Sequence, residues 1–400
     1  MSASGTTEPR RLKGHKSEIT CCIASRDRPG VIVSCGEDGC ICWFDLRCKD
    51  VILTVNAGKG PISSLCFKSG NEDVIYASSG TEVISFDVHE ASTWKPLEKY
   101  NYNKDEINQI TFRSKSSFLA AADDSGDVKI IDTSQQHLYK TLRAGHTNIC
   151  SSVQFLPWRP WEAVTGGLDS KFVIWDFSRG RPLGHVDFGM SDTGLNKCDS
   201  DTSQCFNPPF VHAIAVPELD MLERSGKICA VARGDGIVDV IDLEAEQTLA
   251  KSKSSSHCKK GSESKNKHNL NPNQGKRLQF DRAMGGHTAA VSSVGFSLFG
   301  ERGRYILSGG NDAFVKVWDW SKQANAEENS CSLEFLQLSI DARKKRTQLP
   351  LMRRGSHGQT EQDSNHRNPL VSAVGVCFLT HLGEDSDGSD LGHKCISIDC

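Results

Sequence analysis

Residues 146–176 read HTNICSSVQFLPWRPWEAVTGGLDSKFVIWD, and their pattern decides the fold. In ICSSVQF apolar and small polar residues alternate, the period of a half-buried strand. A proline-rich turn follows, then the strand-like WEAVTGG, a tight turn containing Asp169, and KFVIW. A fourth strand then leads into the next unit. The same order recurs in HTAAVSSVGFSLFGERGRYILSGGNDAFVKVWD, residues 287–319. In both, an opening His, a Ser or Thr in the second strand, an Asp in the next turn and a closing Trp-Asp fall at matching places.

The unit repeats along the chain. Strand-like segments end in Asp at ICWFD (Asp45), VISFD (Asp87), VKIID (Asp132), FVIWD (Asp176), VDVID (Asp242) and VKVWD (Asp319). The first four recur at the roughly 40–45-residue period of a four-stranded propeller blade, and polar insertions widen the later gaps. Six blades are placed at about 15–57, 58–103, 104–145, 146–190, 208–284 and 285–340.

On these residues the chain resembles the WD40 repeat family. The resemblance implies an all-β WD40 β-propeller, nominally seven-bladed, of which six blades are clear and the last is not evidently closed. It also implies that the His, Ser or Thr, Asp and Trp of one blade are joined by hydrogen bonds that satisfy buried polar groups. Carried over, these sets are His146, Thr165, Asp169 and Trp175, and His287, Ser308, Asp312 and Trp318. The first blade has His15, Ser34 and Asp38 but Phe44 at the Trp position, and the second and third blades replace the His-Trp pair. A His beside an Asp and a Ser invites comparison with a catalytic triad. Repetition at equivalent places argues for structure, because a nucleophile needs one oriented base in a cleft.

A narrower resemblance, to the WD repeat-containing protein 53 family, rests on ADDSGDVKIID (122–132), NICSSVQFLPWRP (148–160), GGLDSKFVIWDFSRGRPL (166–183) and GGNDAFVKVWDW (309–320). It covers about residues 14–345, within a propeller domain set at 10–345. After Lys345 the chain continues RTQLPLMRRGSHG, unlike the family, so 346–400 reads as an atypical, poorly ordered tail arising from a splice or gene-model difference. RRLKG (10–14) is expected to contribute the outer strand of the closing blade, with a partner the sequence does not name.

Polar insertions are expected at about 190–209 and 251–277. The second carries eight Lys or Arg against one acid and reads as a solvated loop between the third and fourth strands of its blade. The formal charge of -3 gives no overall nucleic-acid footprint. The start, MSASGTTEPRR, has no apolar signal-like run, and no stretch of about 18 apolar residues occurs, so the expected location is cytoplasm, nucleus or both, without membrane contact. The 16 cysteines sit mostly singly in apolar strands and read as buried free thiols, with no zinc-type double pair.

No phosphate loop, nucleophile elbow or His-Glu-x-x-His pair is present, so no enzyme activity, catalytic residue, metal or cofactor is expected. The family resemblance implies a platform for protein partners. IVSCGEDGCICWFDLR, residues 32–47, is similar to the Trp-Asp-x-Arg box of WD40 substrate receptors of cullin4 ubiquitin ligases, whose Arg docks on the damaged-DNA-binding protein 1 adaptor. That resemblance implies an adaptor-binding set of Arg47, Asp45, Phe44 and Asp38, departing from the box at Cys35 and at Phe44. At the other strand ends the Arg47 place holds His89, Ser134, Ser178, Glu244 and Ser321. The alternative expectation is a nuclear or chromatin scaffold that uses the basic loop 251–277.

Overall fold

The computed structural model describes residues 10–48, 50–58, 60–90, 96–113, 115–190, 207–248, 277–298, 302–320 and 396–399. Six antiparallel sheets succeed one another along the chain. Blade one is Ile19–Ala24, Val31–Gly36, Cys40–Asp45 and Val51–Asn56, and blade four is Cys150–Phe155, Glu162–Gly167, Lys171–Asp176 and Arg181–Asp187. Blades two, three and five are likewise four-stranded and meandering, while blade six has three described strands, Val291–Phe296, Tyr305–Gly310 and Val315–Asp319. The first strands pack side by side in chain order, so the sheets form the consecutive sectors of a propeller.

Blades two to five each lie between two others, which explains why their third strands read as near-continuous apolar runs instead of alternating. In KFVIWD the central four residues are all buried. Phe172 and Ile174 pack toward blade five with Val211 and Val231, whereas Val173 and Trp175 pack toward blade three with Ala122 and Ile130. At roughly 25 cal/mol per Å² of apolar surface, these inter-blade layers supply the main cohesive term.

The first strand of every blade begins with the same irregularity. Its register against the second strand shifts after Ile19, Ile62, Ile107, Cys150, Val211 and Val291. The bulge re-aims the extra residue toward the next blade. Thr20 and Ser63 donate their hydroxyls to the carbonyls of Ile62 and Ile107, the Asn108 amide donates to Cys150 O at 3.2 Å, and the Ser151 hydroxyl donates to Val211 O at 2.5 Å. A chain of side-chain bonds thus ties blades one to five in sequence.

Arg10–Lys13 finds its partner at the other end of the chain, pairing in parallel with Ile396–Asp399. Leu12 is buried against Ile32, Cys42 and Phe44 on the outer face of blade one. The rest of the segment 346–400 lies outside the described residues, as do 191–206 and 251–276.

Candidate functional site

Three blades share one buried polar motif. In blade four His146 Nδ1 lies 2.9 Å from Asp169 Oδ1 and Nε2 lies 2.7 Å from Thr165 Oγ1, which also accepts from Trp175 Nε1 at 2.8 Å. Blade six repeats it, with His287 3.0 Å from Asp312 and 2.8 Å from Ser308, and Trp318 Nε1 donating to Ser308 at 2.8 Å. Blade one has His15 at 3.1 Å from Asp38 and 2.7 Å from Ser34. The carboxylate also takes the backbone N–H of the residue after the His, Lys16, Thr147 or Thr288.

Chemistry fixes the direction of these bonds. An indole only donates and a carboxylate only accepts, so the Thr165 hydroxyl accepts from Trp175 and donates to His146, whose Nδ1–H faces Asp169. Burial works against the charge of Asp169, but the bonds from His146 and Thr147 outweigh it and hold the carboxyl below its ordinary range. Asp38 and Asp312 are held low in the same way. The hydroxyls of Thr165, Ser34 and Ser308 belong to fully buried residues. A nucleophile sealed from substrate and repeated in three blades is a structural element.

Blades three and five bury other polar sets, built from residues that the sequence reading missed. In blade three Asn103 takes the His position, four residues before the first strand, and donates to Asp123 at 2.8 Å. In blade five the buried Asp239 accepts from Arg233 Nη1 at 2.6 Å and from Gln279 at 2.9 Å. Gln279 stands beyond the 251–277 insertion, so no local pattern connects it to Arg233.

The surface features gather on the end of the propeller formed by the first and third turns of the blades. These turns are bonded together, with Leu46 N donating to Gly30 O, Thr133 N to Ser117 O, Phe177 N to Trp161 O and Leu243 N to Lys227 O. The recurring strand-end Asp serves this turn. Asp45, Asp87, Asp132 and Asp242 each accept the backbone N–H two residues on, at 2.8–2.9 Å. The repeated Asp is therefore explained by backbone need.

Blade one adds something to the shared turn. Arg47 folds back on Asp45, with Nε 2.9 Å from Oδ1 and 3.0 Å from Oδ2, while Nη2 bonds Oδ2. The guanidinium holds the Asp45 carboxyl below its ordinary range. The Arg47 side chain remains 78% exposed against 10% for Asp45. A planar cation is thus braced at the surface by an almost buried carboxylate. Of the other residues in that set, Asp38 is committed to His15 and Lys16. Phe44 is 1% exposed, so it offers no surface to an adaptor; its ring fills the Trp space beside Gly14. On the same end Trp161, 44% exposed, stacks on Tyr139 at 6.4 Å; the sequence reading sets it at the start of the strand WEAVTGG, whereas the structure begins that strand at Glu162 and leaves Trp161 in the turn. The third strand of blade five ends at Asp242 and its fourth begins at Leu278 on this same end, and the basic stretch 251–276 between them lies outside the described residues.

The family model described as WD domain, G-beta repeat, matches residues 6–45, 136–176 and 278–319. These segments contain the third strands of blades one, four and six, the three that carry the His–hydroxyl–Asp bonds. The chain carries WD40 repeats in these three segments. Its similarity to the WD repeat-containing protein 53 homolog of Dictyostelium discoideum is 26% identity over 337 residues, 81% of each chain. It is 26% identical over 216 residues to the WD repeat-containing protein ATCSA-1 of Arabidopsis thaliana, covering 53% of this chain and 42% of that one. It is 25% identical over 147 residues to the methylosome protein WDR77 of Xenopus laevis, covering 33% and 44%. Blades two, three and five, where the polar set is replaced, fall largely outside the segments that the family model matches.

Proposed function

We propose that this WD40 propeller is a noncatalytic interaction scaffold that recruits substrates to a cullin4 ubiquitin ligase, docking on the damaged-DNA-binding protein 1 adaptor through Arg47. The observation that carries the reading is the Asp45–Arg47 pair: of six equivalent strand ends, one places an Arg two residues after the Asp, and there the carboxylate braces an exposed guanidinium. Arg suits a docking contact because its fixed donors match carboxylate and carbonyl acceptors and its charge persists at all physiological pH. Asp45 sets the direction of the side chain before binding, which lowers the ordering cost on association. Trp161 lies far along the chain on the same end and gives a second, apolar contact point for a recruited protein.

The test is capture of the purified adaptor by the full chain and by Arg47→Ala, with circular dichroism of both. Loss of capture with an unchanged spectrum supports the reading; undiminished capture rejects the role of Arg47.

A further inference from the structure

Two cysteines face one another across the inner hairpin of blade one. Cys21, in Ile19–Ala24, is the direct cross-strand partner of Cys35, in Val31–Gly36. Directly opposed residues of an antiparallel pair have Cα atoms about 4.5–5.5 Å apart, inside the roughly 4.4–6.8 Å span that a disulfide requires. Side chains of opposed residues point to the same face, and both thiols enter the apolar layer between blades one and two. Both are free thiols, Cys35 buried and Cys21 partly exposed.

Their surroundings differ. The neighbouring Cys35 thiol, with the Leu65 backbone and Ser64, outweighs burial and holds the Cys21 thiol below its ordinary range. Burial drives the Cys35 thiol well above that range. Cys66, Cys150 and Cys229 are pushed up by burial with no opposed thiol to counter it. A thiol with enhanced thiolate character backed by a second thiol is the arrangement that oxidises and then resolves.

We infer that Cys21 and Cys35 form a peroxide-responsive dithiol that closes to an intrachain disulfide within blade one. The Cys21 thiolate attacks one oxygen of hydrogen peroxide, breaking the O–O bond; Cys21 becomes a sulfenic acid and, with one proton, the other oxygen leaves as water. Cys35 then attacks the Cys21 sulfur, the S–S bond forms, and the sulfenic oxygen departs as a second water with the Cys35 proton. Two thiols lose two electrons in all, and one peroxide is reduced to two waters. The product links the first and second strands of the blade that carries Arg47.

The test treats the full chain with graded hydrogen peroxide, blocks remaining thiols under denaturing conditions, and maps non-reduced peptides with fragment ions that separate Cys21 from Cys22 and Cys35 from Cys40 and Cys42. The expected result is joint loss of alkylation at Cys21 and Cys35, a linked peptide that dithiothreitol dissolves, and trapping of Cys21 sulfenic acid by dimedone in Cys35→Ser. Full alkylation of Cys21 and Cys35 at doses that oxidise the exposed Cys48, or linkage of Cys21 to any other cysteine, overturns the inference. The parent chain alone decides between these results, so a poorly folding variant does not blunt the test.

Discussion

Gly145 lies against Trp175 so closely that a Cβ on the glycine would stand 2.1 Å from Cζ2 of the indole. The glycine before the His is thus the space that the Trp of the polar set requires. Gly145→Ala is expected to cost about 1–3 kcal/mol by overpacking. Trp175→Phe, which shortens the ring as Phe44 does beside Gly14, is expected to relieve most of that clash in the double variant. Urea unfolding of the four-member cycle measures the coupling, and additive losses would contradict the packing described.

Removing the centre of the set is costlier. His146→Ala deprives Thr165 and Asp169 of their shared partner in a buried site, at an expected cost of about 2–3 kcal/mol. The corresponding change at Asn108, which ties blade three to Cys150 O, removes that part-buried bond and an exposed one to Asp124 and is expected to cost about 1 kcal/mol. Equal losses at the two positions would disagree with this ranking.

Acid stability follows from the carboxylates. Asp38, Asp169 and Asp312 have folded-state values below the ordinary 3.8, so the stability they contribute is fully present above that value and is lost as pH falls through the lower folded value. Asp169→Asn is expected to lower stability near neutrality and to flatten the acid limb below about pH 4. Thermal unfolding between acid and neutral pH tests this; an unchanged acid limb would contradict it.

Arg233 and Asp239 form the buried ion pair of blade five. Arg233→Ala leaves Asp239 with the Gln279 amide but without its guanidinium and is expected to destabilise by about 3–5 kcal/mol. Replacing the pair together with apolar residues of similar volume is expected to cost much less than the single change. Comparison of the two variants by chemical unfolding checks the sign.

The fold was legible because a blade advertises itself locally: alternating first strands, continuous apolar third strands and a strand-end Asp that caps its own turn all lie within one short unit. The polar sets of blades one, four and six were legible for the same reason, since His, hydroxyl and Asp recur in the same order, followed by Trp in blades four and six. What escaped was built from unlike residues or across long separations. Asn103 replaces a His with another donor, and Arg233 meets Gln279 across an insertion. The bulge residues Thr20, Ser63, Asn108 and Ser151 share a position and a donor but not an identity. Phe44 was placed correctly as the Trp substitute, yet that position points inward, which removes it from any docking surface. The strand at Ile396–Asp399 pairs with residues nearly the whole chain away, a contact that short-range patterning does not encode.

Titration of purified damaged-DNA-binding protein 1 adaptor against the full chain, Arg47→Ala and Trp161→Ala by biolayer interferometry measures the role of Arg47 directly. The expected result is binding by the parent, affinity at least about tenfold weaker for Arg47→Ala with unaltered circular dichroism, and parent-like affinity for Trp161→Ala. Equal affinity of Arg47→Ala and the parent, or no binding by a folded parent, would contradict it.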